Sequence, residues 1–517
     1  MATDIRRTED LLVDIWSEVL GVEVTRSDNF FDLGGDSILA IQVVAKAAAA
    51  GLAVGPTQLI SHQTVAELAL VTSEVDGGAR VPLPEGSLPL TAIQRELLRR
   101  QPHPEHYNQS VLLACEQPDV EALRAAFHAV VAHHDAFALR FGVTDGEPAW
   151  QWYERDTEPP PFDVVTTRVG EDPATLLQRC TARSQATLDP GAGPVVRATL
   201  LDLGPAGHRL FLVAHHLVVD SVSWRILIDD LTTAYRQLRA GRPVALPPPG
   251  TPFGTWARLM AEHAGDPDCG GELDLWRDRA ARSSALPWAD HSRDRWPAQR
   301  IDEATTWSAE LDEDTTSLLL ARVRRLPDVP VEAVLLGAVA TAAGRCADAG
   351  SVTIDVERHG REPLFPEVDV SRTVGWFTQV HPVVVPVSGG TGRAAEAAAR
   401  ELRSTPCGGV RFGLLAARDE VLAGAPLPGV LFNYLGRATG GQAGPLTEVA
   451  EPVGPDREPA NLLTHPVEFI AAIDGGRLHI TVTCAGMAPE RSRAEPLGRA
   501  CVAALAELVE PATGVRS

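Results

Sequence analysis

The sequence predicts two unlike folds in one chain: a small all-α bundle over residues 1–75 and a larger α/β (α+β) body over residues 88–512, joined by a linker at 76–87. Three observations carry this. The amino-terminal stretch shows helical periodicity and helix caps. "DGGARVPLPEGSLPL" (76–90) is rich in Gly and Pro and has no periodicity, as a linker does. Beyond it, strand-like and helix-like segments are mixed, and 517 residues are several times the usual domain size.

In the bundle, residues 8–20 place Leu11, Leu12, Ile15, Trp16, Val19 and Leu20 on one helical face. A loop containing "DNFFDLGGDS" follows. The next helix runs from about Ser37 to Ala50, with Ile38, Ile41 and Val44 inward and Gly51 as its stop. Thr64 is placed to cap a further helix, "VAELAL". In the body, "HRLFLVAHH" (208–216) reads as a strand. "SWRILIDDLTTAYRQLRAG" (223–241) reads as a helix with Trp224, Leu227, Ile228, Leu231, Tyr235 and Leu238 on one side.

Composition excludes several functions. The net charge is -22, and no basic block offers nucleic acid a local foothold. The longest apolar candidate for a membrane span, "AVLLGAVATAAG" (333–344), is too short, and the first residues lack the apolar core of a signal peptide. Seven scattered cysteines, with no CxxC pair, read as reduced and mostly buried thiols of a cytoplasmic protein. Lys46 is the only lysine. A P-loop is therefore absent, and a pyridoxal phosphate Schiff base could form only there, on a helix of the small bundle.

Two stretches carry chemistry. In "LGGDSILAIQVV" (33–44), Asp36 can cap the helix that Ser37 opens, and two glycines let the loop turn tightly and expose the serine hydroxyl. A phosphate ester there would sit at the positive end of the helix. The G-x-S-x-G pattern of a hydrolase nucleophile fails, because Leu39 takes the last glycine position. In "AHHLVVDSVSW" (214–224), a strand would point His215 and His216 to opposite faces. They cannot readily share one metal, and no third ligand has convincing spacing, so no metal is expected. One imidazole should pack and the other face a cavity, where it can move a proton near neutrality. A second pair, His133 and His134, is expected only to pack.

"DNFFDLGGDSI" resembles the peptidyl carrier domain of nonribosomal peptide synthetases, a four-helix bundle. The resemblance implies a 4'-phosphopantetheine arm on Ser37 bearing an aminoacyl or peptidyl thioester. Carriers with Asp before the serine typically precede epimerization domains. "HHLVVDSVSWRILIDDL" resembles the HHxxxDG region of condensation and epimerization domains, which share the two-lobed chloramphenicol acetyltransferase-like fold, and it is closer to the epimerization branch. The likeness extends in order through "LPLTAIQRELL" (88–98), "HYNQSVLL" (106–113), "VERHGRE" (356–362), "RTVGWFTQVHPV" (372–383), "PCGGVRFGLL" (406–415) and "FNYLGR" (432–437).

The resemblance implies an N-lobe at about 88–290, a C-lobe at about 291–512 and a tunnel between them that receives the arm. It implies L-to-D epimerization at Cα without pyridoxal phosphate, with His216 and Glu357 as the acid/base pair and Asn433 and Tyr434 as candidate donors to the enolate oxygen. Tyr434 could equally be a core aromatic, and Asn433 could hold a turn. Asp220 is expected to orient the histidine loop or pair with an arginine such as Arg361. Asp230 is either a buried partner or a solvated residue. Implied partners are a phosphopantetheinyl transferase, an adenylation domain in another chain or a missing region, and a downstream condensation domain. The alternatives are an amide-forming condensation domain and a degenerate docking platform. Three positions depart from the pattern. Ser221 stands for a glycine and would be strained at positive φ. Arg358 stands for a glycine beside Glu357, though on a strand it would face away. Arg411 stands for a glycine and is expected to crowd a loop near the tunnel.

Overall fold

The structure is a computed structural model. It describes residues 2–74, 81–144, 147–154, 158–168, 170–263, 270–283, 286, 300–326, 328–365, 367–425, 427–437, 444–485 and 493–509. Residues 76–80 of the expected linker lie outside these; 81–87 carry no helix or strand.

The amino-terminal bundle contains α1 (Ala2–Leu20), α2 (Ser37–Ala49), α3 (Pro56–Ser61) and α4 (Val65–Val71), with a two-residue strand pair, β1 (Leu52–Ala53) and β2 (Ser73–Glu74). Trp16, Phe30, Leu39, Val43, Ala47, Leu59 and Leu68 fill its core. Thr64 caps α4 in a reciprocal box with Glu67. Helix α2 corrects one expectation. Val44 points into the bundle, but Ile41 joins the core of the larger body and Ile38 abuts Gly436. The helix is apolar on two sides, and a single-face reading merges them.

The body opens with α5 (Ala92–Arg100), β3 (Asn108–Cys115), α6 (Val120–His133) and the hairpin β4 (Leu139–Thr144) and β5 (Glu147–Tyr153). There follow β6 (Phe162–Thr166), α7 (Pro173–Gln185), β7 (Val196–Asp202), β8 (His208–His215), α8 (Ser221–Arg239), α9 (Phe253–His263) and α10 (Gly270–Arg282). Next come β9 (Thr305–Leu311), α11 (Glu313–Val323), α12 (Val331–Ala347), β10 (Ser351–Arg358), β11 (Gln379–Pro386), α13 (Thr391–Ser404), α14 (Phe412–Ala416) and α15 (Glu420–Gly424). The chain closes with β12 (Val430–Arg437), β13 (Leu446–Glu448), β14 (Val467–Asp474), β15 (Arg477–Cys484) and α16 (Ala494–Val509).

These strands make two main sheets, ordered β13-β3-β8-β7-β6 and β11-β10-β12-β14-β15-β9. Each sheet has its own apolar core, one built on Leu210, Leu212, Trp256 and Leu231, the other on Ile354, Phe432, Phe469 and Leu336. The apolar helix noted at 333–344 is part of α12, and every residue of that stretch is buried in the second core. No helix among the described residues is long and apolar enough to cross a membrane.

Two segments cross between the lobes. Strand β13 leaves the second lobe and pairs with β3 of the first, Leu446 opposite Cys115. The chain then runs antiparallel over residues 103–108. Asn108 N donates to Asp456 O at 2.7 Å and Glu458 N to His106 O at 2.9 Å. Val370, Val374, Trp376 and Phe377, which precede β11, pack in the first core. Segments from the second half of the sequence thus complete the first lobe's sheet and core.

Candidate active site

Strand β8 ends at His215, and His216 opens the short 3-10 turn His216–Val218. His215 is fully buried, and its Nε2 lies 2.7 Å from Pro104 O. His216 projects differently. Its Nδ1 lies 2.9 Å from Val219 O, a carbonyl that can only accept, so Nδ1 carries the proton. Nε2 is left as the basic lone pair and accepts from Gln109 Nε2 at 2.9 Å. Gln109 is oriented in turn by Trp224, whose Nε1 donates to Gln109 Oε1 at 3.1 Å. The imidazole packs at a tilt against Trp376, ring centroids 4.2 Å apart, with Tyr107 at 5.9 Å. Burial pushes His216 down to about 4, and the nearby charge of Arg457 adds to this. At neutral pH it is an uncharged base.

Glu357 ends β10 in the second lobe. Its register places it beside Asn433 of the parallel strand β12, and the Asn433 side chain hydrogen-bonds the carboxyl. Burial pushes Glu357 up to about 7, and the negative charges of Glu468 and Asp220 reinforce the rise against Arg457 and Asn433. Near neutrality it holds or releases a proton readily. Tyr434 follows Asn433 on the strand and so faces the other side, sharing the core with Val430 and Phe432. Its hydroxyl lies in the field of Asp36, Arg437, Glu332 and Arg225, and burial raises its pKa. The structure therefore sets His216 and Glu357 in the shared field of Arg457 and Asp220, holds Asn433 on the Glu357 carboxyl, and sends Tyr434 toward the amino-terminal bundle.

Asp220 caps α8, accepting from Ser223 N at 2.7 Å, and it pairs with Arg361 at 3.0 Å. This fixes the turn that carries His216. Asp230 is buried between His134 Nε2 at 2.9 Å and Arg372 at 2.5 Å. Together with His133 these form the one grouping of metal-ligand type among the described residues. Arg372 already balances Asp230 there, which disfavours a second cation.

The three departures resolve locally. Ser221 begins α8 and is not among the residues with positive φ, so no strain arises. Arg358 faces away from Glu357 and pairs with Glu332. Arg411 pairs with Glu272 at 2.6 Å and reaches His263, bracing α14 against α9 and α10. The expected crowding gives way to an ion pair.

Sequence reasoning assigned no role to Gln109, Trp376 or Arg457. The first two lie in the quoted motifs "HYNQSVLL" and "RTVGWFT", so motif membership was the usable signal. Arg457 lies in "GPDREP", a loop without pattern.

The bundle meets the body along both ends of α2. In its last turn, Lys46 Nζ reaches Asp229 of α8 at 3.5 Å. A Cβ at Gly34, where φ is +93, would lie 2.9 Å from Arg437 Nη1. Asp36 caps α2, its Oδ1 accepting from Ile38 N and Leu39 N at 3.0 and 2.8 Å, and lies in the field of Arg225. A helix amino terminus with Arg225 and Arg437 beside it suits a phosphate ester at position 37.

Comparison with known proteins agrees with this architecture. Residues 10–71 match the phosphopantetheine attachment site family and residues 84–443 the condensation domain family. A linear gramicidin synthase of Brevibacillus parabrevis is 36% identical over 521 residues, covering 97% of this chain and 10% of that protein. Chondramide synthase of Chondromyces crocatus is 39% identical over 502 residues, covering 92% and 12%. The chain thus spans about a tenth of the length of these relatives. Among solved structures, the epimerization domain from the third module of tyrocidine synthetase B superposes with a TM-score of 0.74 at 25% identity, covering 84% of this chain and 98% of that one. The X-domain from teicoplanin biosynthesis gives 0.65 at 20% identity, covering 84% and 97%. The chain belongs to the condensation domain family of nonribosomal peptide synthetases. It joins a phosphopantetheine-bearing carrier to that body, the arrangement of a carrier–epimerization didomain.

Proposed function

We propose that the body inverts the Cα centre of an aminoacyl or peptidyl group held as a thioester on Ser37, with His216 and Glu357 exchanging the proton. The observation that supports this reading is an uncharged imidazole and a carboxyl raised to about 7, one from each lobe, both in the field of Arg457 and Asp220. A single acid/base step on one face of a substrate needs one such group. Inversion is served directly by two, one to accept the proton and one to donate it.

The arm, when attached, supplies a thioester, whose Cα–H is more acidic than that of an amide. One residue of the pair takes the Cα proton, and the C–H electrons move into a Cα–C bond as the carbonyl oxygen becomes an enolate. The other returns a proton to the opposite face, and the carbonyl reforms. Gln109 and the Val219 carbonyl hold the His216 tautomer, and Asn433 positions Glu357. Tyr434 borders the approach from Asp36. Loading the arm requires a phosphopantetheinyl transferase and an adenylation activity, and the inverted product suits a downstream condensation domain.

The test is the full chain, phosphopantetheinylated, loaded with an L-aminoacyl group and held in D2O. One deuterium at Cα and a mixture of L- and D-acid on release are expected. No uptake overturns the reading. Formation of a dipeptide with an added aminoacyl acceptor carrier identifies a condensation enzyme instead.

A further inference from the structure

Arg457 is placed by backbone pairing across the lobes. The segment 455–458 registers it opposite Tyr107, with the Asn108–Asp456 and His106–Glu458 hydrogen bonds on either side. Its guanidinium carbon lies 4.5 Å from the Tyr107 ring centroid, the same ring that neighbours the His216 imidazole. Arg361 and Arg372, the buried arginines on the segment that follows β10, are each engaged by a carboxylate: Arg361 by Asp220 and Arg372 by Asp230. Among the described residues, none makes a hydrogen bond or ion pair with the Arg457 guanidinium, which rests only on the Tyr107 face. Five N–H donors in a rigid fork are therefore uncommitted beside the ring that neighbours His216.

Its charge acts on both members of the proton-transfer pair, and in the same direction. It lowers His216 and lowers Glu357. A cation that weakens both bases hinders proton abstraction unless it acidifies the substrate by more. We propose that Arg457 is a further catalytic residue, donating to the thioester oxygen as it becomes an enolate. As the Cα–H pair shifts into the Cα–C bond, the carbonyl π pair moves onto oxygen, and Arg457 stabilises that charge until reprotonation restores the carbonyl. This rests on the acid/base reading of His216 and Glu357.

The experiment compares Arg457→Gln and Arg457→Lys in the full chain, loaded with an L-aminoacyl group that the wild-type chain exchanges. Arg457→Gln is expected to slow Cα deuterium uptake about 10²–10³-fold, the usual cost of one oxyanion donor. Arg457→Lys keeps the charge without the fork and should fall between. A second readout needs no loaded substrate: the His216 imidazole, followed by NMR, should titrate at higher pH in Arg457→Gln and near its wild-type position in Arg457→Lys. Exchange within about twofold of wild type in Arg457→Gln overturns the assignment, as does slowed exchange with an unmoved His216 titration. If Arg457→Gln does not fold, Arg457→Lys exchanging at the wild-type rate overturns the need for the planar donor. A wild-type chain that takes up no deuterium with any aminoacyl group overturns the acid/base reading itself, a result distinct from either of these.

Discussion

Arg361 Nη2 donates to both carboxylate oxygens of Asp220, at 3.0 and 3.1 Å, and both side chains are buried. Asp220 caps α8 in the first lobe, and Arg361 follows β10 of the second. Arg361 also donates to the carbonyls of Val370 and Thr373 at 2.8 and 2.7 Å, and it lies 4.0 Å over the Phe377 ring. Its charge thus fastens the turn bearing His216 to the strand bearing Glu357.

Arg361→Ala leaves the Asp220 carboxylate buried without its counterion. The expected loss is about 3–5 kcal/mol, the usual cost of removing one partner of a buried pair, read as a lower midpoint in urea unfolding. Arg361→Lys should restore little, because one ammonium cannot reach Asp220 and both carbonyls from the same position.

His216→Ala removes the base while leaving Asp220, Gln109 and Trp224 in place. Deuterium uptake at Cα should fall about 10²–10⁴-fold, the range for a general base. Circular dichroism should keep the wild-type form while the unfolding midpoint falls modestly, since the buried ring also packs against Trp376 and Tyr107.

Exchange should follow a bell in pH. Its acid limb reports His216, which must be neutral and titrates at about 4, and its alkaline limb reports Glu357, which must hold a proton and titrates at about 7. The charges facing these groups are Arg457, Asp220 and Glu468. Glu468→Gln removes a negative neighbour that raises Glu357, so its alkaline limb should move to lower pH. An unmoved limb would assign it to another group.

Glu357 also makes stability depend on pH. Its folded value, about 7, exceeds the ordinary 4.5. The folded state therefore holds this proton more tightly, and stability falls as pH rises from 4.5 through 7. Glu357→Gln removes that loss. Relative to wild type it should gain stability on the order of 2–3 kcal/mol at pH 8 and little at pH 4, measured by urea unfolding at both pH values.

Much of this site is legible along the chain because side-chain direction follows local geometry. Asp36, two glycines and an apolar run mark the start of α2 at Ser37. An apolar strand ending in two histidines puts one in the core and leaves the other at the turn. Strand alternation sends Arg358 away from Glu357, and the same alternation separates Asn433 from Tyr434. Motif order identified the family, while the roles of individual residues within each motif depended on which face they occupied.

The sequence by itself determined the leading helices of the bundle, the strand and helix around the histidine pair, and the two chemical stretches, since periods of 3.6 and 2.0 residues are properties of the local backbone. Only the tertiary structure decided that Ile38 and Ile41 leave the bundle for the body, that β13 joins the first lobe's sheet, and that Arg457 stands beside Tyr107. Those placements depend on long-range strand pairing and on which apolar surfaces close against each other. No local pattern encodes a partner hundreds of residues away.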